Sequence, residues 1–129
     1  MDSSDLLGAF NNHIIDFFEE VVKLFPNNTD IKIAKTSINT IRRVNPKLII
    51  RIWKEYILDK YKTEIYDGNI DFFINKNYTN DLKNLDTTNN ILEKIDTLRE
   101  PISKMSKENV DKTIKYIQNL TKLCDLYYV

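Results

Sequence analysis

The sequence predicts an all-α fold, an irregular orthogonal bundle of five to six helices. Three observations carry that expectation. Apolar residues recur at spacings of three and four through most of the chain, which gives helices with one buried face. No stretch alternates with the period of two that marks a strand. The helices have unequal lengths, and the Asn45-Pro46 turn is too tight for a simple up-and-down array. With 129 residues and 15.3 kDa, the chain has the size of one domain, 1–129.

The first helix is expected over about 4–25. Leu7, Phe10, Ile14, Phe17, Val21 and Leu24 share a face, and Phe18, Val22 and Phe25 widen it. Ser3 or Ser4 would cap its free N–H groups, and Pro26 ends it. A second helix, about 30–44, follows a Thr29 cap and buries Ile31, Ala34, Ile38 and Ile41. Asn45-Pro46 stops it and starts a third, over 46–66, because proline fits a first helical turn and Asn45 can cap it. Ile49, Ile52, Trp53, Tyr56, Ile57 and Tyr61 form the buried side of this helix, and Asp67-Gly68 ends it.

Asn69 would cap a short, densely apolar helix over 70–75. The polar run 76–90 reads as the one long connection, with Leu82 and Leu85 as anchors. A fifth helix, about 88–105, carries Pro101 inside its pattern. Proline lacks a backbone donor, so a kink or break is expected near Leu98. The last helix starts after a Ser106 cap and lines Val110, Ile114, Ile117, Leu120, Cys124 and Tyr127 on one face.

Composition and charge exclude several classes of function. Two glycines preclude a Gly-rich phosphate loop, and a single cysteine precludes an internal disulfide framework and a cysteine-rich zinc site. No apolar run reaches the roughly 18 residues of a membrane span. The opening MDSSDLLGAF is acidic where a secretory signal would be basic, so an intracellular, non-secreted protein is expected. His13 is the only histidine, which leaves no Ser-His, Cys-His or multi-histidine arrangement within one chain. Glu19 and Glu20 diverge by about 100° on their helix, and Asp67 and Asp71 read as local caps. No catalytic residue, metal ligand or cofactor is assigned, and an enzyme is not expected.

The zero net charge conceals an alternation. Residues 1–30 carry −5, 31–63 carry +7, 64–100 carry −4 and 101–129 carry +2. Complementary neighbouring helices are the simpler account, and a partner for the basic segment is the alternative. In that segment Lys47, Arg51 and Lys54 form a stripe at i, i+4 and i+7, with Arg42 and Arg43 just before the turn. These five would be the contacts of a nucleic-acid-binding accessory protein, loosely like a helix-turn-helix. Large apolar residues exceed what one stripe per helix needs. Phe18, Val22, Trp53 and Tyr128 are therefore candidate contact residues, with the outer side of the first helix and the C-terminal end as the contact surface.

The stretch FFEEVVKLFP, the run from DIKIAKTSINT to IRRVNPKLIIRIWKEYILDKY, then IDFFINKNY and KTIKYIQNLTKLCDLY resemble a family of small, uncharacterised helical proteins of giant nucleocytoplasmic large DNA viruses. Phe25-Pro26, Asp30-Ile31-Lys32, Ala34-Lys35-Thr36, Asn45-Pro46, Trp53 and the segment 115–120 carry the likeness. The composition suits an AT-rich genome, with 18 Ile, 15 Lys and 15 Asn against two Ala. The resemblance supplies no catalytic or binding residue. It implies a viral setting, in the virion or in the viral factory of the host-cell cytoplasm. The expected function is a small non-enzymatic interaction protein, structural or virion-associated, whose partner is a viral protein or a second copy. Nucleic acid is the alternative partner.

Overall fold

The computed structural model describes residues 2–75 and 87–129. Among them every regular element is helical. The order is α1 (Ser3–Leu24), α2 (Thr29–Val44), α3 (Leu48–Trp53), a π-turn (Lys54–Leu58), α4 (Asp59–Tyr66), α5 (Asp71–Asn75), α6 (Thr87–Asp96), α7 (Arg99–Ser103) and α8 (Lys107–Tyr127). The all-α bundle expected from the apolar spacing is the fold observed. Most of the 76–90 connection, with Leu82 and Leu85, lies outside the described residues.

The helix caps obey the expected chemistry, with a shift of one residue at two of them. Asp2, not Ser3 or Ser4, caps α1: its Oδ1 accepts the Asp5 N–H at 2.8 Å. Asn28, not Thr29, caps α2, accepting the Ile31 N–H at 3.2 Å. Asn45 closes α2 rather than capping the next helix, since its own N–H bonds Ile41 O at 2.8 Å. Pro46 and Lys47 then form a turn, and α3 begins only at Leu48. The buried Asn11 of α1 donates to Pro46 O at 2.9 Å and so pins this corner.

At the end of α4, Gly68 takes φ +78°. That left-handed residue lets the Gly68 N–H reach Ile65 O and the Asn69 N–H reach Glu64 O, so the last carbonyls of the helix are satisfied. Asn69 accepts the Asp71 N–H at 3.0 Å and opens α5. Ile70 and Phe73 bury this short helix, and Phe72 stacks on Tyr61 at 4.2 Å. The break expected before Pro101 falls at Thr97 and Leu98, between α6 and α7. Ser106 caps α8 through the Asn109 N–H at 3.3 Å.

The core lies between α1, α8 and the α3–α4 segment, which kinks at Tyr61 (φ −130°, ψ 19°). Trp53 is 1% exposed. Its ring meets Phe10 of α1 edge-on at 6.0 Å, and its Nε1–H donates to Thr121 Oγ1 of α8 at 3.1 Å. Cys124 is fully buried and its thiol points at Ile50 O, 3.4 Å away. Gln118 donates to Ile65 O at 3.0 Å, tying α8 to the last turn of α4. Among the described residues, no helix is long and apolar enough to cross a membrane.

Candidate functional site

The structure separates the residues that the sequence grouped. Of the basic five, Arg42 is engaged within the fold: its Nε donates to Asn39 at 2.9 Å and its Nη1 to Asn12 of α1 at 2.8 Å. Lys54 bonds both carboxylate oxygens of Asp59 at 3.0 Å and lies 5.6 Å from the Tyr128 ring centroid. Arg43, Lys47 and Arg51 remain exposed at the α2–α3 corner. Part of the charge alternation is internal pairing, as in Lys35–Glu19 at 3.5 Å and Lys62–Asp125 at 3.0 Å.

The contact candidates need correction. Phe18 and Trp53 belong to the core, at 0% and 1% exposure, and cannot touch a partner. Phe18 is buried because α1 is covered on two flanks, by α2 and by α8, so its apolar arc is wider than a single contact requires. Val22 is half-buried against the core, and Tyr128 is exposed at the C-terminal end with its ring edge on Tyr127.

A different surface stands out where α1 and α8 pack antiparallel. The C-terminal half of α1 lies against the start of α8 and encloses a cleft of about 110 Å³. Phe17, Val21 and Thr113 form its floor, and Leu24, Glu20 and Lys112 stand at its mouth. Ligand sites for drug-sized molecules run to roughly 300–1,000 Å³, whereas an apolar cavity of about 150 Å³ takes one benzene-sized group. The cleft therefore suits a single inserted side chain. Leu24 is 44% exposed at its lip.

From the cleft a groove continues along the seam past His13, Tyr116, Asn119 and Leu123 to Leu126. Three rings line up beneath it, Phe17 stacked on Tyr116 and His13 tilted against the same ring. Phe17 lies 5.3 Å from Tyr116, and Tyr116 lies 4.8 Å from His13. The His13 Nε2 is buried with no hydrogen-bond partner among the described residues. Burial holds the imidazole below its ordinary proton affinity, and the Asp16 carboxylate offsets this in part. Burial and the nearby Glu20 and Asp16 charges raise the Tyr116 phenol. Cys124, on the sealed side of α8, has its thiol pushed up to about 12 by burial and is no nucleophile at neutral pH.

The walls of the groove differ in sign. Asp16 and Glu20 stand on the α1 ridge, Glu20 bonded to Lys23 at 3.4 Å in an exposed pair. Lys112, Lys115 and Lys122 stand exposed along the α8 ridge, and no ion pair joins them to another described residue. Pattern reasoning missed this site because half of it belongs to each of two helices far apart in the chain. The available signal was the contrast between the net −5 of residues 1–30 and the net +2 of residues 101–129. Among the described residues, no group of three His, Cys, Asp or Glu comes together as metal ligands would. No protein-family model, curated protein or solved structure matches the chain.

Proposed function

We propose that the protein is a small non-enzymatic interaction protein that holds another protein against the α1–α8 groove. One observation carries the reading: a side-chain-sized cleft with Phe17 and Val21 in its floor stands open between two long helices, with a half-exposed leucine at its lip and charges around it. An apolar pocket inside a polar rim is the anatomy of a binding hot spot, where one inserted anchor supplies most of the affinity. The likeness of the sequence to small proteins of giant DNA viruses supports a viral setting, as a component of the virion or of the viral factory. The nucleic-acid reading is left with Arg43, Lys47 and Arg51, since Arg42 and Lys54 are spent on contacts inside the fold.

The test is a comparative pulldown from cells infected with such a virus. Leu24→Glu blocks the cleft mouth at an exposed position. Ile33→Glu alters another exposed apolar residue, at 53% exposure on α2, and serves as the control. A partner retained by the wild type and Ile33→Glu but lost by Leu24→Glu supports the reading. Identical partners for all three proteins overturn it.

A further inference from the structure

The charge pattern of the groove specifies an occupant. We infer that the groove is filled by a second copy of this chain, in a two-fold dimer whose axis runs along the groove; this rests on the interaction reading above. The two ridges run side by side: Glu20, paired with Lys23, lines the groove on α1 with Asp16 close to its Tyr116 and His13 rings, and Lys112, Lys115 and Lys122 line it on α8. A polyanion laid in the groove meets repulsion from the α1 ridge, and a polycation meets it from the α8 ridge. A surface carrying both ridges, turned over about their long direction, meets neither.

Symmetry decides which way round the copies sit. A two-fold axis along the groove sets α1 of one copy opposite α8 of its partner, so acid faces lysine on both sides of the axis. An axis across the groove sets α1 on α1 and α8 on α8, which brings like charges together and costs stability. The favoured arrangement keeps equal levels of the groove in register. Leu24 lies at the same level as the start of α8, because both line the one cleft. Each copy's exposed Leu24 therefore comes over the cleft of the other, and the contact repeats identically across the axis, as a closed dimer requires.

Area sets the strength. At 1.5 Å per residue the stretch 109–126 is about 25 Å long, and two helices side by side are about 20 Å wide. Each copy thus covers about 500 Å², and the total of about 1,000 Å² sits at the lower edge of specific interfaces. The dimer is accordingly weak, concentration-dependent and sensitive to salt.

Light scattering after size exclusion tests this across a concentration series. The wild type is expected to rise from 15.3 kDa toward twice that mass, and to fall back at high salt. Lys112→Glu with Lys115→Glu makes both ridges acidic, and Asp16→Lys with Glu20→Lys makes both basic. Each double variant alone should be monomeric, with its circular dichroism unchanged. Mixing the two should restore a dimer, as should all four substitutions in one chain. Zero-length cross-linking of isotope-labelled with unlabelled wild type should join Glu20 of one copy to Lys112 of the other. A wild type monomeric at every concentration overturns the proposal, as does a dimer indifferent to charge reversal. If the wild type is monomeric while Leu24→Glu still loses a captured partner, the second copy is ruled out and the interaction reading stands.

Discussion

The two flanks of α8 are built to opposite rules. On the flank facing α3, each polar group is buried and matched: the Trp53 indole finds the Thr121 hydroxyl, and the Cys124 thiol finds the Ile50 carbonyl. The flank facing α1 is the broadest helix contact of the fold, but its outer edge is open to solvent. Tyr116 is half-buried, the His13 Nε2 has no partner among the described residues, and a cleft opens beside them. One helix thus lies against a fully sealed neighbour on one side and borders an open seam on the other. An unsatisfied buried polar atom commonly costs about 1–3 kcal/mol, which a folding core avoids. The same holds for Asn11 Oδ1 at the Pro46 corner and Asp96 Oδ1 on α6, also without a partner among the described residues; at His13 the unmatched atom lies beside an open cleft.

The largest difference between the flanks is chemical. With its thiol pushed up to about 12, Cys124 in the folded protein should react with a thiol reagent at pH 8 about a thousandfold more slowly than in denaturant. Rapid labelling under native conditions would show that the α3 flank opens. Next in size is the contrast in packing. Trp53→Ala should cost about 3–5 kcal/mol in urea denaturation, because the ring is fully enclosed. Tyr116→Ala should cost clearly less, since its ring already meets solvent. Equal losses would erase the distinction between the flanks.

Thr121→Val keeps the shape of the sealed flank but strands the Trp53 Nε1–H, so a loss of about 1–3 kcal/mol is expected. A neutral result would mean that water reaches the indole. The smallest effect is the pH dependence of the open flank. His13 takes its proton below the ordinary 6.5 in the folded protein, so the unfolded chain binds more protons in the interval between. Stability from this group is complete above about 6.5 and is lost as the pH falls through the lower folded value. Thermal melts between about pH 5 and 8 should show that slope in the wild type and lose it in His13→Phe. Asp96, held above its ordinary 3.8 by burial, acts with the opposite sign. A slope that survives in His13→Phe would assign it to another group.

The sealed flank was largely legible in the sequence. Ile117, Leu120 and Cys124 repeat at three and four, and Trp53 falls on the buried side of the third helix; it touches α1 and α8. The break at Thr97 and Leu98 was legible for a chemical reason, the missing donor of Pro101. The caps at Asp2 and Asn28 were missed by one position because neighbouring Ser, Thr, Asp and Asn side chains offer equivalent acceptors, and only the backbone path chooses between them. Phe18 was misread as surface because the width of an apolar arc does not say how many neighbours cover it. The groove could not be read at all from one helix. Its acid and lysine ridges come together only when α1 and α8 lie antiparallel, and periodicity is silent on that pairing.

The π-turn between α3 and α4 has a consequence for the gene. The Asp59 N–H reaches back five residues to Lys54 O, one more than an α-helix allows, so the turn holds a surplus residue. Deleting a single codon within 54–58, Glu55 for instance, converts the turn to plain α-helix and leaves Trp53 before it and Ile65 after it facing the core as now. The same deletion in α3 rotates the following residues by about 100° relative to Leu48 and takes Trp53 out of register with the core. Within the helical segment 48–66, the window 54–58 is therefore the place where the reading frame can shorten by a triplet while Ile65 keeps its place in the core.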